Sequence, residues 1–428
     1  MLSVLRRNPD FRRLWLAQVV SQLGDWLSRV AVLGLIGSLG GREAVYGIGM
    51  LYAGELAIRL MPLAVLSPLA GPLADRLPRR LLMVVSDLLR AGLVLCLLVV
   101  DRPDELWLLY AILIAQMSAA TFFEAARSAA IPSTVSERGE IHEAYALSAV
   151  TWSAMLAIGA LLGAIGIRFL GSSGLFVLDS LTYVASAVVL VGLRLPPVPE
   201  HPERFSWRDV VTLRDVRRGL DHARELGVLP ALLAKTFWGG AGGFLVLLSV
   251  AGLDHAAPSL READAAMTTA VAGFATGLLY GARGLGTGIG PLLARRLWGS
   301  GDKELRRQVA LGFFVGGTGY LLFGFAGTLA AALPCVVYAH MGGSTIWVAA
   351  TTLWQKRIDD AFRGRVFACE FLGFTVAFTV GAFLAGLSYD ATGSVAVTSW
   401  TVASVVIVMG IAWTAWAEGL LPGLRARG

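Results

Sequence analysis

The chain has 428 residues, of which 56% are hydrophobic and 15% charged, and its formal net charge is +6. Soluble domains carry about 25% charged residues, so composition excludes a water-soluble globule. The basic excess does not point to nucleic acid, because the arginines lie in short runs between apolar segments rather than in a basic domain.

The opening stretch MLSVLRRNPDFRRLW places its arginines ahead of the first apolar run, and no small-residue cleavage site follows a short apolar core. The first span is therefore expected to remain as an anchor. Windows of about 19 residues predict helices over 13–38, 44–70, 81–100, 105–128, 141–168 and 173–195, then over 229–252, 265–294, 307–327, 330–354, 364–388 and 394–419. Between the two sets, residues 196–228 open on Pro196, Pro197, Pro199 and Pro202, which cannot continue a helix, and then turn amphipathic. This predicts an all-α integral membrane protein: a six-helix bundle at 1–195, a tether with a surface helix at 196–228, and a second six-helix bundle at 229–428. With the N-terminus in the cytoplasm, only Arg42, Arg102, Arg168 and Arg261 fall in the opposite loops. The positive-inside rule then predicts a multi-pass protein of the cytoplasmic (inner) membrane with both termini cytoplasmic.

Ionisable side chains inside a bilayer are costly, so those that occur there are candidates for function. Asp25 and Arg29 lie one helical turn apart in the first span, and Glu55 and Arg59 repeat the spacing in the second. A carboxylate beside arginine stays ionised until the pair is disrupted and then takes up a proton, which would couple protons to substrate; the alternative is a pair of static bridges between helices. Asp179, Arg283 and His340 are further candidates for proton coupling or substrate contact, and His340 lies well inside a predicted span. Lys235 is expected to snorkel to the headgroups, and Asp87 with Arg90 to cap and pair near a helix start. Glu124 and Arg127 are expected at a cytoplasmic gate. Trp26, Trp152, Trp238 and Trp347 are candidate cavity aromatics, and Trp400 and Trp416 candidate interfacial anchors. Gly277 with Gly281 and Gly286 with Gly290 give the eighth helix small-residue spacing suited to tight packing.

GPLADR at 71–76 recurs as GPLLAR at 290–295, and AQM at 115–117 as AHM at 339–341, so the two halves carry similar offsets and suggest duplication. The stretch GPLADRLPRRLLM resembles the signature loop of the major facilitator superfamily, through Gly71, Leu73, Ala74, Asp75, Arg76, Arg79 and Arg80, with Pro78 where glycine is usual. NPDFRRLWLAQVVSQLGDWL, VSDLLRAG, ARSAAIP and LDSLTYVASA further resemble the drug:proton antiporter branch that includes macrolide efflux proteins and the enterobactin exporter, the transmembrane secretion effectors. The resemblance implies two pseudo-symmetric bundles around a central site, a cytoplasmic gate motif at Gly71, Asp75, Arg76, Arg79 and Arg80, and multidrug-type export of a hydrophobic or amphipathic small molecule by proton antiport. The antiporter pattern has a Gly-Pro pair in the fifth helix, whereas SAMLAIGALLGAIG has Gly159, Gly163 and Gly166 without proline.

No phosphate-binding G-x-x-x-x-G-K-[ST] run, H-E-x-x-H or G-x-S-x-G occurs, and Cys96, Cys335 and Cys369 are far apart. The expectation is a transporter and not an enzyme, with no cofactor and no metal. Its expected partners are bilayer lipid, protons and a small-molecule substrate but no nucleic acid, and it is expected to be a monomer. A lysophospholipid flippase of the same fold and a non-transporting membrane receptor are the competing readings.

Overall fold

The computed structural model describes residues 2–40, 47–135, 140–197, 214–256, 265–358 and 360–418. Its helices, in chain order, are α1 (Leu2–Arg7), α2 (Pro9–Leu39), α3 (Ile48–Arg76), α4 (Arg79–Cys96), α5 (Leu106–Ala130), α6 (Glu140–Val191), α7 (Arg214–Glu225), α8 (Leu229–Gly239), α9 (Gly243–Ala256), α10 (Ala265–Trp298), α11 (Asp302–Phe323), α12 (Leu329–Gln355), α13 (Asp360–Thr392) and α14 (Val395–Ala417). There are twelve long helices and no strands among the described residues, as the hydropathy pattern predicts. Among the described residues, nine segments are long and apolar enough to cross a membrane by length and composition. Large apolar side chains such as Phe169, Leu292 and Phe325 stand exposed, an arrangement that suits hydrocarbon and not water.

Local chemistry sets the helix ends. Pro9 occupies the first turn of α2, where its missing N–H costs nothing. Thr328 and Ser394 cap α12 and α14, each accepting a bond of 3.3 Å from the amide three residues on. The separate fifth and sixth helices that the sequence predicts over 141–168 and 173–195 are the two arms of α6, which meet at Gly171, whose non-helical φ of 66° is the left-handed region that favours glycine. The seventh span is expected to be continuous over 229–252, yet it is broken between α8 and α9. Residues 239–243 read GGAGG, and tighter bonds from Ala241 N to Trp238 O and Gly242 N to Gly239 O replace the α-helical ladder. A Cβ at Gly239 would lie 2.8 Å from the Phe374 carbonyl oxygen, so bare backbone is what lets this segment approach α13.

The chain divides into two compact units. Unit 1 comprises 1–45, 58–206 and 256–281; unit 2 comprises 46–57, 207–255 and 282–428. One apolar cluster of unit 1 joins Val4 and Leu5 of α1 to Phe11, Leu14, Met83, Phe123, Ile131, Leu190 and Leu193. Within the same unit the start of α10 packs tightly on α6: a Cβ at Gly277 would meet Ala164, and one at Gly281 would meet Leu161. In unit 2, Gly286 and Gly290 lie against the carbonyls of Val337 and Met341 on α12, as their spacing predicts. The amphipathic α7 turns Leu220 and Ala223 into a cluster with Leu232, Trp354, Val366 and Cys369. Most of the tether before it, along with Arg42 and Arg261, lies outside the described residues.

Candidate functional site

Asp25 enters unit 1 from the middle of α2, and three other helices bring polar groups to it. On α4, Asp87 and Arg90 are three residues apart and share a face. On the second arm of α6, Asp179, Tyr183 and Ser186 follow helical spacing, so they line one stripe. The Tyr183 hydroxyl donates to Asp25 Oδ1 at 2.5 Å and accepts from Gln116 of α5 at 3.1 Å. Arg90 reaches Asp25 Oδ2 at 3.7 Å and pairs closely with Asp87. Ser186 donates to the other Asp87 oxygen at 2.6 Å. The Arg90 guanidinium also lies over the rings of Tyr183 and Phe123, at 4.4 and 4.6 Å.

Exposure separates the members of this network. Asp87 and Asp179 are fully enclosed and the Arg90 side chain is 3% exposed, whereas the Asp25 side chain is 28% exposed. Asp25 is thus the open end of a buried polar chain. Asp179 sits beside it, with Ser28 and Thr182 as neighbours, and its Oδ2 has no hydrogen-bond partner among the described residues. Gly24 is what permits the approach, since a Cβ there would collide with Thr182 and Asp179. Next to this network, Arg29 lies over Trp26 and Tyr280 at 5.3 and 5.1 Å, and Trp26 meets Trp152 edge-on at 6.2 Å. Trp26 is buried while Trp152 is 42% exposed, so this group also presents an accessible aromatic face.

The expected gate residues of unit 1 bind main-chain carbonyls and one another. Arg127 pairs with Glu124 at 2.7 Å and donates to Gln18 at 3.0 Å. Arg79 donates to the carbonyls of Ala74 and Ala129, at 3.3 and 2.8 Å, and Arg80 to that of Leu193 at 3.3 Å. Basic groups at the last carbonyls of α3 and α5 complement those helix ends. Pro78 forms the turn into α4 with φ of −56°, a value natural to proline. Arg76 is half-buried, and the side chains of Gly71 and Asp75 lie outside the described residues.

Unit 2 holds a different pair. Lys235 of α8 is 2% exposed and bonds Glu370 of α13 at 2.8 Å; the second Glu370 oxygen accepts from the Trp354 indole at 2.8 Å. The ammonium group also lies 4.0 Å over the Trp347 ring, which abuts Phe374. The expected snorkelling of Lys235 is therefore corrected: its charge is neutralised inside the unit and does not reach out. Elsewhere in unit 2, His340 bonds the Tyr320 hydroxyl at 2.7 Å and packs edge-on against Phe244, whose ring also lies 5.8 Å from the Arg283 guanidinium. Trp238 fills a slot over Gly316 and Gly343 and packs on Phe244 and Phe313, so it is a packing residue here. Trp416 stacks on Phe237, and Trp400 packs at a tilt against Phe325. Glu55 is 1% exposed and belongs to unit 2, and Arg59 is half-buried in unit 1.

The sequence singled out Asp25, Asp179 and Arg29, and the fold gathers them. It misassigned Asp87 and Arg90, which join the buried network instead of capping a helix start, and it passed over Tyr183 and Glu370. The available signal for Glu370 was a lone carboxylate inside an apolar span with an unmatched lysine in another.

Comparison with known proteins agrees with this architecture. The profile of the Major Facilitator Superfamily matches residues 14–359. An uncharacterised MFS-type transporter of Mycobacterium tuberculosis is 28% identical over 395 residues, covering 89% of this chain and 86% of the relative. Macrolide efflux protein A of Streptococcus pyogenes is 22% identical over 411 residues, covering 94% of each. The putative bacilysin exporter BacE of Bacillus subtilis is 28% identical over 198 residues, covering 46% of this chain and 47% of the relative. Among solved structures, a POT family transporter in complex with 5-aminolevulinic acid superimposes with a TM-score of 0.71 at 13% identity, covering 96% of this chain and 97% of that one. With an all-helical fold, buried intramembrane charge and a family profile spanning most of its length, the chain belongs to the Major Facilitator Superfamily, a family of multi-pass membrane transporters.

Proposed function

We propose that this transporter exports a hydrophobic or amphipathic small molecule in exchange for protons, with Asp25 as the coupling carboxylate. The observation that carries the reading is the arrangement around Arg90: Asp25 and Asp87 both face this one guanidinium, and Asp25 is the accessible one. Two carboxylates against one guanidinium leave a negative charge that a proton at Asp25 neutralises. Protonation also ends the demand for the Tyr183 and Arg90 contacts, which frees α2 to shift against α4 and α6. Trp26 and Trp152 then offer an apolar face to the substrate, with Arg29 behind them. Sequence similarity to a macrolide efflux protein and to a putative bacilysin exporter supports the direction of transport, export of a small molecule.

In this reading the halves 1–195 and 229–428 rock about a central site, the chain works as a monomer in the inner membrane, and both termini face the cytoplasm. The test is reconstitution in liposomes with an imposed pH gradient and a panel of macrolides, lipophilic cations and lysolipids. Gradient-driven uptake that is lost in Asp25→Asn is the expected result. Uptake that is unchanged in Asp25→Asn, or movement of lysolipid alone without regard to the gradient, overturns the proposal.

A further inference from the structure

Among the described residues, the first turn of α3 has no local cap. A helix leaves its first amide groups without partners inside the helix, and a side chain just before it normally accepts from them. Here the preceding residue is Gly47, which has no side chain to do so. The acceptor comes instead from the far end of the sequence: Asp390 of α13 takes the Gly49 amide on Oδ1 at 2.8 Å and the Met50 amide on Oδ2 at 2.9 Å. Just below, the two helices meet backbone to backbone. A Cβ at Gly49 would lie 2.5 Å from the Gly386 carbonyl oxygen, and one at Gly386 would lie 2.7 Å from that of Gly49. All of these residues fall in unit 2, so the beginning of α3 is held to α13 although the remainder of α3 is counted with unit 1.

We infer that Asp390 is a positioning residue for transport, clasping the beginning of the second span to the end of the eleventh and holding the external side of the transporter shut. The inference rests on the alternating-access reading above. In that cycle the second span moves with the first half and the eleventh with the second, so a bond between them on the external side exists while that side is closed and breaks when it opens. A carboxylate bonding two amides at a helix N-terminus gains from both hydrogen bonding and the helix dipole, and the glycine contact allows the reach. The strength of the clasp therefore sets the ratio of outward-closed to outward-open molecules. Among the described residues, Tyr389 and Asp254 are titratable groups that interact near this point.

The experiment places spin labels at the exposed external positions Trp107 and Phe325, each changed to cysteine, in full-length protein whose Cys96, Cys335 and Cys369 are replaced by alanine. Label-to-label distances are then measured by pulsed electron resonance in lipid discs. Asp390→Ala is expected to raise the long-distance to short-distance ratio about tenfold, the scale of a lost charge-assisted hydrogen bond. Gly386→Leu, which wedges the backbones apart, moves it the same way. Asp390→Asn keeps one acceptor oxygen and falls between Asp390→Ala and the parent protein. If Asp390→Ala fails to fold, Asp390→Asn and Gly386→Leu carry the test. A folded, monodisperse variant set whose distance distributions match the parent overturns the inference, as does a lower melting temperature with no change in that ratio. The measurement involves no transport, so its failure is distinct from failure of the proton-exchange proposal.

Discussion

Units 1 and 2 each bury charge, and they do so in opposite ways. In unit 2, one ammonium meets one carboxylate, Trp354 satisfies the second oxygen, and Trp347 covers the cation. Charge is balanced and both partners are sealed. In unit 1, Asp25 and Asp87 face Arg90, Asp179 stands beside them with an unsatisfied oxygen, and Asp25 is partly open. A balanced, sealed pair acts as a strut between α8 and α13, whereas the unbalanced, partly open network is the one on which the proposed proton exchange rests. The proposal therefore turns not on charge being buried but on whether its neutralisation is complete.

The largest effect that would break this comparison concerns the strut. Removing one partner of a buried pair leaves an uncompensated charge and costs about 3–5 kcal/mol. Glu370→Ala should therefore lower the thermal unfolding midpoint in detergent sharply, and Lys235→Met with Glu370→Leu should recover most of the loss while keeping gradient-driven transport. A double variant that is stable but inactive would place Glu370 in the transport cycle and erase the distinction.

Next in size is Tyr183→Phe, which deletes one hydroxyl bonded to both Asp25 and Gln116. It should cost about 1 kcal/mol of stability and shift the pH profile of transport, because Asp25 loses its neutral donor. Asp25→Asn, which on the proposed mechanism abolishes coupling, is expected to change stability by less than the Glu370→Ala substitution does. Thermal melts run beside the transport assays check both statements.

The smallest effect lies outside the buried sites. Asp302, at the start of α11, is held below the usual carboxylate range by hydrogen bonds from Lys356 and Arg357, at 3.2 and 2.9 Å. A carboxyl lowered on folding adds stability above its unfolded pKa and loses it as pH falls through the folded value. Asp302→Asn should narrow the difference in melting temperature between pH 7 and pH 3, by a small amount because the group is exposed to solvent. An unchanged difference would show that this cluster contributes nothing to pH stability.

Much of the fold was readable because a membrane span is set by summed hydropathy over about 20 residues, a signal that single substitutions do not erase. The break at 240–242 was not readable, since glycine and alanine leave the apolar average intact while removing the reason to stay helical. Junctions behave differently again: Gly171 marks where α6 turns, and the two spans on either side were separable by position alone. For the site, Asp25 and Asp179 stood out as charges in apolar runs. Their partners did not, because Tyr183 is 158 residues from Asp25, and sequence spacing orders side chains only along one helix. Asp87 and Arg90 were legible as a pair and misread in role, since their i, i+3 spacing is the same whether they cap a helix or face three others.

The interruption between α8 and α9 has a mechanical consequence. A continuous helix passes a tilt at one end to the other as a lever does, whereas two rods joined by three residues can swivel through a few backbone torsions. The lower rod carries Lys235 and is tied to α13 by Glu370, and the joint itself is seated on the same helix, since a Cβ at Gly242 would collide with the Phe378 carbonyl and one at Gly243 would lie 2.8 Å from the Gly381 carbonyl oxygen. The seventh span is in effect jointed, with bare glycine backbone at the joint held against α13 and the lower half anchored by its ion pair.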